Sequence, residues 1–241
     1  MDIAMQQEFF KPSGNQKVIF HPLGIIEYKK GWDYQEKLFA EVIENKDRGI
    51  APFSHHLIFC EHPHVYTLGK SGNENNLLIN YLQLQAKQAS FYKINRGGDI
   101  TYHGPGQLVG YPIFSLEHLK IGVREYIHLL EDTIIRTIAH FGIKGERLKG
   151  ATGVWIDTDS PQKTRKICAI GVRCSHWVTM HGFALNVNTD LSYFQYINPC
   201  GFTDKAVTSI EKELGQKVDF QYVSDIALKE LLSVYGFSAN Q

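Results

Sequence analysis

The run Phe91-Tyr92-Lys93-Ile94-Asn95, then Arg96-Gly97-Gly98-Asp99-Ile100-Thr101-Tyr102-His103-Gly104-Pro105-Gly106-Gln107, then Leu108-Val109-Gly110-Tyr111-Pro112-Ile113-Phe114 reads as strand, loop, strand. Five of the loop's twelve residues are Gly or Pro. Glycines let backbone N–H groups approach a ligand closely and adopt positive φ. Tight turns use the same residues, so the glycines alone decide little. Arg96, Tyr102 and His103 in the same loop make it a candidate ligand cradle. The loop lacks the G-x-x-x-x-G-K-[ST] spacing of a P-loop. It is no dinucleotide fingerprint either, because a strand pattern and not a helix follows it. Pro112 suggests that this second strand lies at a sheet edge or a bulge.

Upstream, Val18-Ile19-Phe20, His56-Leu57-Ile58-Phe59-Cys60 and Val65-Tyr66-Thr67-Leu68 are short strand candidates. Residues 1–16 read as a polar, loosely held start. Tyr34, Leu38 and Val42, with Phe39 and Ile43 beside them, form a helical stripe that Gly49 stops. Downstream, Val123, Tyr126, Ile127, Leu130, Ile134, Ile138 and Phe141 mark the clearest helix, with Gly142 just past its end. Short strands recur at Val154-Trp155-Ile156, Lys166 to Val172 and Val178 to Val187, the first two joined by a hairpin loop over residues 157–162. Thr208-Ser209-Ile210-Glu211 is a capping-box pattern opening a short helix that Gly215 ends. Val223, Ile226, Ala227 and Leu231 mark a last amphipathic helix. The whole reads as one mixed α/β domain over 1–241, with room for a small C-terminal subdomain from about residue 185.

A chain of 241 residues can bury a full core. Lys+Arg and Asp+Glu both number 25, so no global basic excess argues for a nucleic-acid partner. No apolar run approaches the roughly 20 residues of a membrane helix. The segment Met1 to Glu8 lacks both the pattern of a signal peptide and the arginines of a transit peptide. Four cysteines, none in a C-x-x-C pair, are too few for a disulfide scaffold. A cytoplasmic protein without membrane contact is expected. His55, His56, His62 and His64 flank Cys60 and Glu61, yet no H-E-x-x-H or Cys/His knuckle follows. They read as imidazoles at a strand end, and no metal is expected.

Chemistry also gathers at two places further on. Asn198-Pro199-Cys200-Gly201 puts a thiol in a turn, where a substrate can reach it. A free cysteine is most often a small buried hydrophobe, and the turn by itself leaves both readings open. Lys166-Ile167-Cys168-Ala169-Ile170-Gly171-Val172-Arg173 reads as a strand entered by one lysine. Such a lysine is commonly a solvated edge charge. Beside a nucleophile it has another use. An ammonium about 4 Å from a thiolate, at an effective dielectric near 20, favours the anion by up to about 4 kcal/mol. That lowers a thiol pKa by as much as about three units, from near 8.5 to below 7. Cys168, between Ile167 and Ala169, reads as core.

The motif R-G-G-x-x-T-Y-H-G-P-G-Q over residues 96–107, Lys166 to Arg173, His181-Gly182-Phe183-Ala184-Leu185-Asn186-Val187 and Asn198-Pro199-Cys200-Gly201 follow in this order. Together they resemble the lipoyl(octanoyl) transferase family, the octanoyl-carrier-protein:protein N-octanoyltransferases, from about Glu61 to Ile210. The resemblance implies an α+β fold, a mixed sheet flanked by helices, similar to the catalytic domains of biotin and lipoate protein ligases. It implies that Cys200 is the acyl-thioester nucleophile and Lys166 the residue that lowers its pKa. It implies a substrate site lined by Arg96, Gly97, Gly98, Asp99, Ile100, Thr101, Tyr102 and His103, by Ala169, Ile170 and Gly171, and by Gly182, Phe183 and Ala184. Asp99 departs from the Gln or Glu commoner in the family, and Phe183 from a frequent Leu, a change expected to narrow the acyl tunnel.

The implied donor is octanoyl acyl carrier protein. The implied acceptors are the lipoyl domains of 2-oxoacid dehydrogenase E2 subunits and the glycine cleavage H protein. The implied cycle is ping-pong through octanoyl-Cys200, with a monomeric enzyme. Thioester to amide is downhill, so no cofactor, ATP or metal is expected. Backbone amides of Gly171 and Gly182 are expected to approach the acyl chain because neither residue carries a side chain. Lys144, Arg147, Lys149, Lys163 and Arg165 are candidates for a patch that docks acidic carriers. Three rival readings remain: an ATP-dependent lipoate or biotin ligase of the same fold, a non-catalytic acyl-carrier-binding module, and a cysteine hydrolase pairing Cys200 with His181 or His176.

Overall fold

The computed structural model describes residues 8–12, 16–50, 53–198 and 206–239. In chain order its elements are Glu8–Pro12 (β1), Gln16–Ile25 (β2), Tyr28–Asp47 (α1), Phe53–Glu61 (β3), Val65–Leu68 (β4), Tyr81–Ala86 (α2), Ser90–Lys93 (β5) and Ile100–His103 (β6). Gln107–Ile113 (β7), Leu116–Leu119 (α3), Val123–Ala139 (α4), Glu146–Leu148 (β8), Ala151–Ile156 (β9), Arg165–Ser175 (β10) and Val178–Asn186 (β11) follow. Ala206–Val207 (β12), Ile210–Leu214 (α5), Phe220–Val234 (α6) and Phe237–Ala239 (β13) complete it. The large sheet runs β13-β1-β2-β3-β7-β11-β10-β9-β8, with β12 paired to β10, and a small sheet runs β5-β4-β6. The β2–β3, β10–β12 and β4–β5 pairs are parallel, and the other ladders are antiparallel. This is a mixed sheet flanked by helices.

The helices form where the apolar period places one face inward. Tyr126, Leu130, Ile134 and Ile138 of α4 are fully buried. They pack with Phe59, Leu108, Phe183 and Leu185 of the sheet and with Val223, Ala227 and Leu231 of α6. Each such side chain contributes about 1.5–3 kcal/mol when buried. The same cluster holds Val18, Phe20, Ile210 and Phe237, so both ends of the described chain feed one core. On α1, Leu38, Phe39 and Val42 pack against Ile58, Val109, Tyr111 and Ile113 in a second cluster. The helix begins at Tyr28, before the Tyr34 stripe, because Tyr28 and Gly31 are buried too. Gly49, at φ +63°, lies just beyond its end. Among the described residues no helix is long and apolar enough to cross a membrane.

Three sequence expectations change. The loosely held start contains β1, whose backbone pairs with both β2 and β13. Pro112 lies on β7, which is central and not an edge. The ladder to β11 runs only as far as Gly110 opposite Phe183, so Pro112 sits beyond it. There β11 carries His181 at φ +59°, and the Thr179 hydroxyl donates to the Pro112 carbonyl at 2.8 Å. The missing N–H is thus accommodated by a local departure from regular pairing. The N-cap of α5 is Ser209, whose hydroxyl accepts from the Lys212 N–H, and Thr208 instead donates to Glu213.

Candidate active site

A cavity of about 640 Å³ is lined by residues of both sheets, a size suited to a small ligand. Lys166, Ala169, Ile170, Gly171, Gly182, Phe183 and Ala184 border it from β10 and β11. Arg96, Gly97, Gly98, Asp99, Ile100, Thr101 and His103 border it from the glycine-rich loop and β6. Cross-strand register places Ala169 opposite Ala184 and Gly171 opposite Gly182. Tyr102 is not among the bordering residues. Its ring is buried beside Tyr66 and Phe194 in the small sheet's own core, and its hydroxyl bonds to His64 Nδ1 at 2.7 Å.

The two glycines make room for different neighbours. A Cβ on Gly171 would lie 3.1 Å from Arg96 Cδ and 3.1 Å from the Gly97 carbonyl. Its missing side chain makes room for the Arg96 stem. A Cβ on Gly182 would lie 2.2 Å from the Gly110 carbonyl, so this glycine lets β7 approach. The Phe183 ring is committed to the core. It covers Gly110 and stands edge-on to Phe59 at 5.8 Å.

Arg96 is held rigidly. Its Nη2 donates to the Thr67 carbonyl at 2.7 Å and to Thr67 Oγ1 at 3.0 Å, and Nη1 to the Gly97 carbonyl at 3.0 Å. The loop itself is pinned on both sides. Gly97 N–H donates to the Val172 carbonyl, and the Asp99, Arg96 and Gly98 carbonyls accept from the Gly69, Lys70 and Ser71 N–H groups. Asp99 accepts from Asn73 N–H and Asn76 Nδ2, so its carboxylate braces the neighbouring loop.

A continuous relay runs across the site. Thr67 Oγ1 lies 3.4 Å from His103 Nε2, His103 Nδ1 is 2.8 Å from Gln107 Oε1, and Gln107 Nε2 donates to Asn186 Oδ1 at 2.8 Å. Asn186 Nδ2 donates to the Thr208 carbonyl, and Thr208 N–H to the Lys166 carbonyl, both at 2.9 Å. This pattern assigns His103 the neutral Nδ1–H tautomer. Burial, the largest cause, also lowers the His103 pKa to about 3.

Lys166 heads β10 in register with Trp155 of β9 and Val207 of β12. Its Nζ sits 4.5 Å from the centroid of the Trp155 ring. Cys200 lies outside the described residues. The first element after it, β12, is the strand paired in parallel beside Lys166. Cys168 is fully buried, burial pushes its thiol pKa up, and it packs in the main core.

The rival bases are placed otherwise. His181 is buried, its Nε2 bonds to Asn95 Oδ1 at 2.8 Å, and burial lowers its pKa to about 3. His176 lies in the turn at the opposite end of β10 from Lys166. The His55, His56, His62 and His64 group serves packing. His62 bridges the Ile26 carbonyl and the Tyr111 hydroxyl at 2.7 and 2.8 Å, and His55 joins Gln16 to Ser115. Of the expected docking cations, Lys144, Arg147 and Arg165 are engaged by Glu146, by Glu131 with Asp132, and by Asp157 with Glu213.

Tyr28, Gln107, Val109, Tyr111, Trp155 and Asn186 border the cavity without having been singled out as site residues. Gln107 closes the glycine motif, and Trp155 precedes Lys166 by one hairpin, signals from which both could have been found.

The family model of the lipoyl protein ligase A/B catalytic domain matches residues 27–232. The chain is 56% identical to an octanoyltransferase of Cytophaga hutchinsonii over 92% of this chain and 93% of that one. It is 54% identical to an octanoyltransferase of Parabacteroides distasonis over 90% and 96%. Among solved structures, a putative lipoate protein ligase from T. acidophilum aligns with a TM-score of 0.64 at 14% identity, covering 89% of this chain and 83% of that one. Lipoate-protein ligase A bound with ATP aligns with a TM-score of 0.62 at 14% identity, over 92% and 85%. At such identities these two share the fold.

Proposed function

Because the chain belongs to the lipoyl protein ligase A/B catalytic-domain family and to its octanoyltransferases, acyltransferases of protein lipoylation, we propose that it moves the octanoyl group through a thioester on Cys200. The observation that carries this reading is the meeting of Lys166 with β12, the first described element after Cys200, at the border of the cavity. The donor is octanoyl acyl carrier protein, and the acceptors are lipoyl domains of 2-oxoacid dehydrogenase E2 subunits and the glycine cleavage H protein.

The Cys200 thiolate attacks the carrier's thioester carbonyl. A new C–S bond forms to Sγ, the carrier's C–S bond breaks, and the Lys166 ammonium gives its proton to the departing thiolate. Backbone N–H groups stabilise the oxyanion in between. The lipoyl-domain ε-amine then attacks the octanoyl-enzyme. A C–N bond forms, the bond to Cys200 breaks, and neutral Lys166 takes the amine's proton, which restores the starting state. Lys149, exposed beside Gly150 at the cavity border, and exposed Lys163 make no ion pair among the described residues, which suits them to receive an acidic carrier.

Intact mass after mixing the protein with octanoyl acyl carrier protein tests the reading, with Cys200→Ala in parallel. One octanoyl group on the parent alone, discharged by a lipoyl domain, is the expected result. Transfer at the parental rate by Cys200→Ala would refute the covalent route.

A further inference from the structure

Lys166 has a built seat on β9. Gly153 and Trp155 are two residues apart on that strand, so they face the same side. A Cβ on Gly153 would lie 3.6 Å from Lys166 Cε, and its φ of +121° together with a Cys168 carbonyl 2.5 Å from that Cβ keeps the position a glycine. The lysine stem passes over this bare backbone, and its ammonium arrives over the Trp155 face at 4.5 Å. Cations within about 6 Å of a ring centroid are attracted by its quadrupole, and the indole attracts them best.

The ring is a fixed platform. Trp155 is 2% exposed, and its Nε1 donates to the Ala151 carbonyl at 2.9 Å. Lysine by contrast has a flexible four-carbon stem, and Lys166 is only partly buried at the cavity border. Glu131 accepts from Gly153 N–H and pairs with Arg147, and Arg165 is held by Asp157 and Glu213. Cys168 lies buried just beyond, and β12 contributes no charge.

We propose that Trp155 is the positioning residue for Lys166, its ring face fixing the ammonium at the site where the nucleophile's thiolate needs it. This deepens the reading of Lys166 given above and rests on it. The ring touches no reacting atom. It limits the ammonium to one side of the cavity, so that thiolate stabilisation and proton return both occur from a single position.

Replacement of Trp155 in the full chain by tryptophans carrying one to four ring fluorines tests this, because fluorine drains the quadrupole and leaves the shape nearly unchanged. The readouts are the carbamidomethylation rate of Cys200 by iodoacetamide at neutral pH, followed by peptide mass, and the rate of octanoyl-enzyme formation. Both are expected to fall stepwise, by about two- to fivefold across the series, with the melting temperature constant. Trp155→Phe should fall between the parent and Trp155→Leu. The same series on Lys166→Ala must be flat. A flat series on the parent, with Lys166→Ala slow, overturns the role of Trp155 and leaves that of Lys166. A Lys166→Ala protein alkylated as fast as the parent overturns the reading of Lys166 and the platform with it. A fluorine effect that persists on Lys166→Ala overturns the platform alone.

Discussion

Lys166→Met keeps a side chain over Gly153 and Trp155 and deletes only the charge. If the ammonium stabilises a thiolate by up to about 4 kcal/mol, octanoyl-enzyme formation at neutral pH should fall by about tenfold to a thousandfold. Single-turnover mass spectrometry measures it, and a change under twofold would show that the ammonium does not activate the thiol. The glycines give a contrast at the same scale. Gly182→Ala drives a methyl into the backbone carbonyl of Gly110, which cannot yield cheaply, and should cost about 1–3 kcal/mol of stability. Gly171→Ala meets the Arg96 stem and the Gly97 carbonyl at 3.1 Å, so it should lower activity more than melting temperature. Thermal unfolding beside octanoyl transfer assays separates the two. Both glycines were plain in the sequence as strand positions without a side chain. What each makes room for was not, because Arg96 and Gly110 are distant in the chain and meet them only through sheet register.

The elements whose pattern is local were legible. The α4 stripe, the β3 run and the loop between β9 and β10 appear where periodicity and turn residues put them. The strand β1 was not, since pairing with β2 and β13 needs only backbone groups and leaves no apolar pattern to read. Of the two readings of Pro112 the edge fails and the irregularity holds: proline excludes a hydrogen bond, not a central position, and β11 departs from regular pairing just there. The site's polar relay was equally hidden, because its members come from β4, β6, β7 and β11 and from the turn before α5. Gln107 is its centre, donating to the Tyr102 carbonyl and Asn186 while accepting from His103. Gln107→Leu strands these buried partners and should cost about 1–3 kcal/mol per unsatisfied group. Gln107→Glu keeps an acceptor for His103, but it loses the donor to Asn186 and buries a carboxylate against two acceptors, so it should cost as much or more. Denaturant unfolding of both variants checks this, and a Glu variant clearly more stable than the Leu variant would show that the His103 bond outweighs the buried charge.

Across the whole molecule the two halves of the site are held by an interior rich in neutral imidazoles. His55 and His103 have pKa values lowered to about 3, His62 to about 4 and His181 to about 3, in each case chiefly by burial. His62 and His103 use ring nitrogens as acceptors, from Tyr111 and Thr67, and protonation would remove those acceptors and force the hydroxyls to turn. In the unfolded chain the same groups take up protons near 6.5. Between that value and about 4 the unfolded state therefore binds more protons, and stability must fall as pH is lowered. Each fully differential histidine contributes about 1.4 kcal/mol per pH unit over this window. Above pH 6.5 the contribution is fully present. Below the folded-state values it is lost and no further slope arises from these groups. A melting temperature that is flat from pH 8 to 7 and drops steeply from about 6.5 toward 4 is the expected result. Carboxylates give their slope lower, since Glu146 is held down to about 2 by its bonds to Lys144 and Thr158. A profile flat to pH 5 would mean that the buried imidazoles find solvent or partners for a second proton. A profile that begins to fall near 6.5 ties acid unfolding to these buried imidazoles as a group, among them the His103 whose neutral form joins the glycine-rich loop to the strand of Lys166.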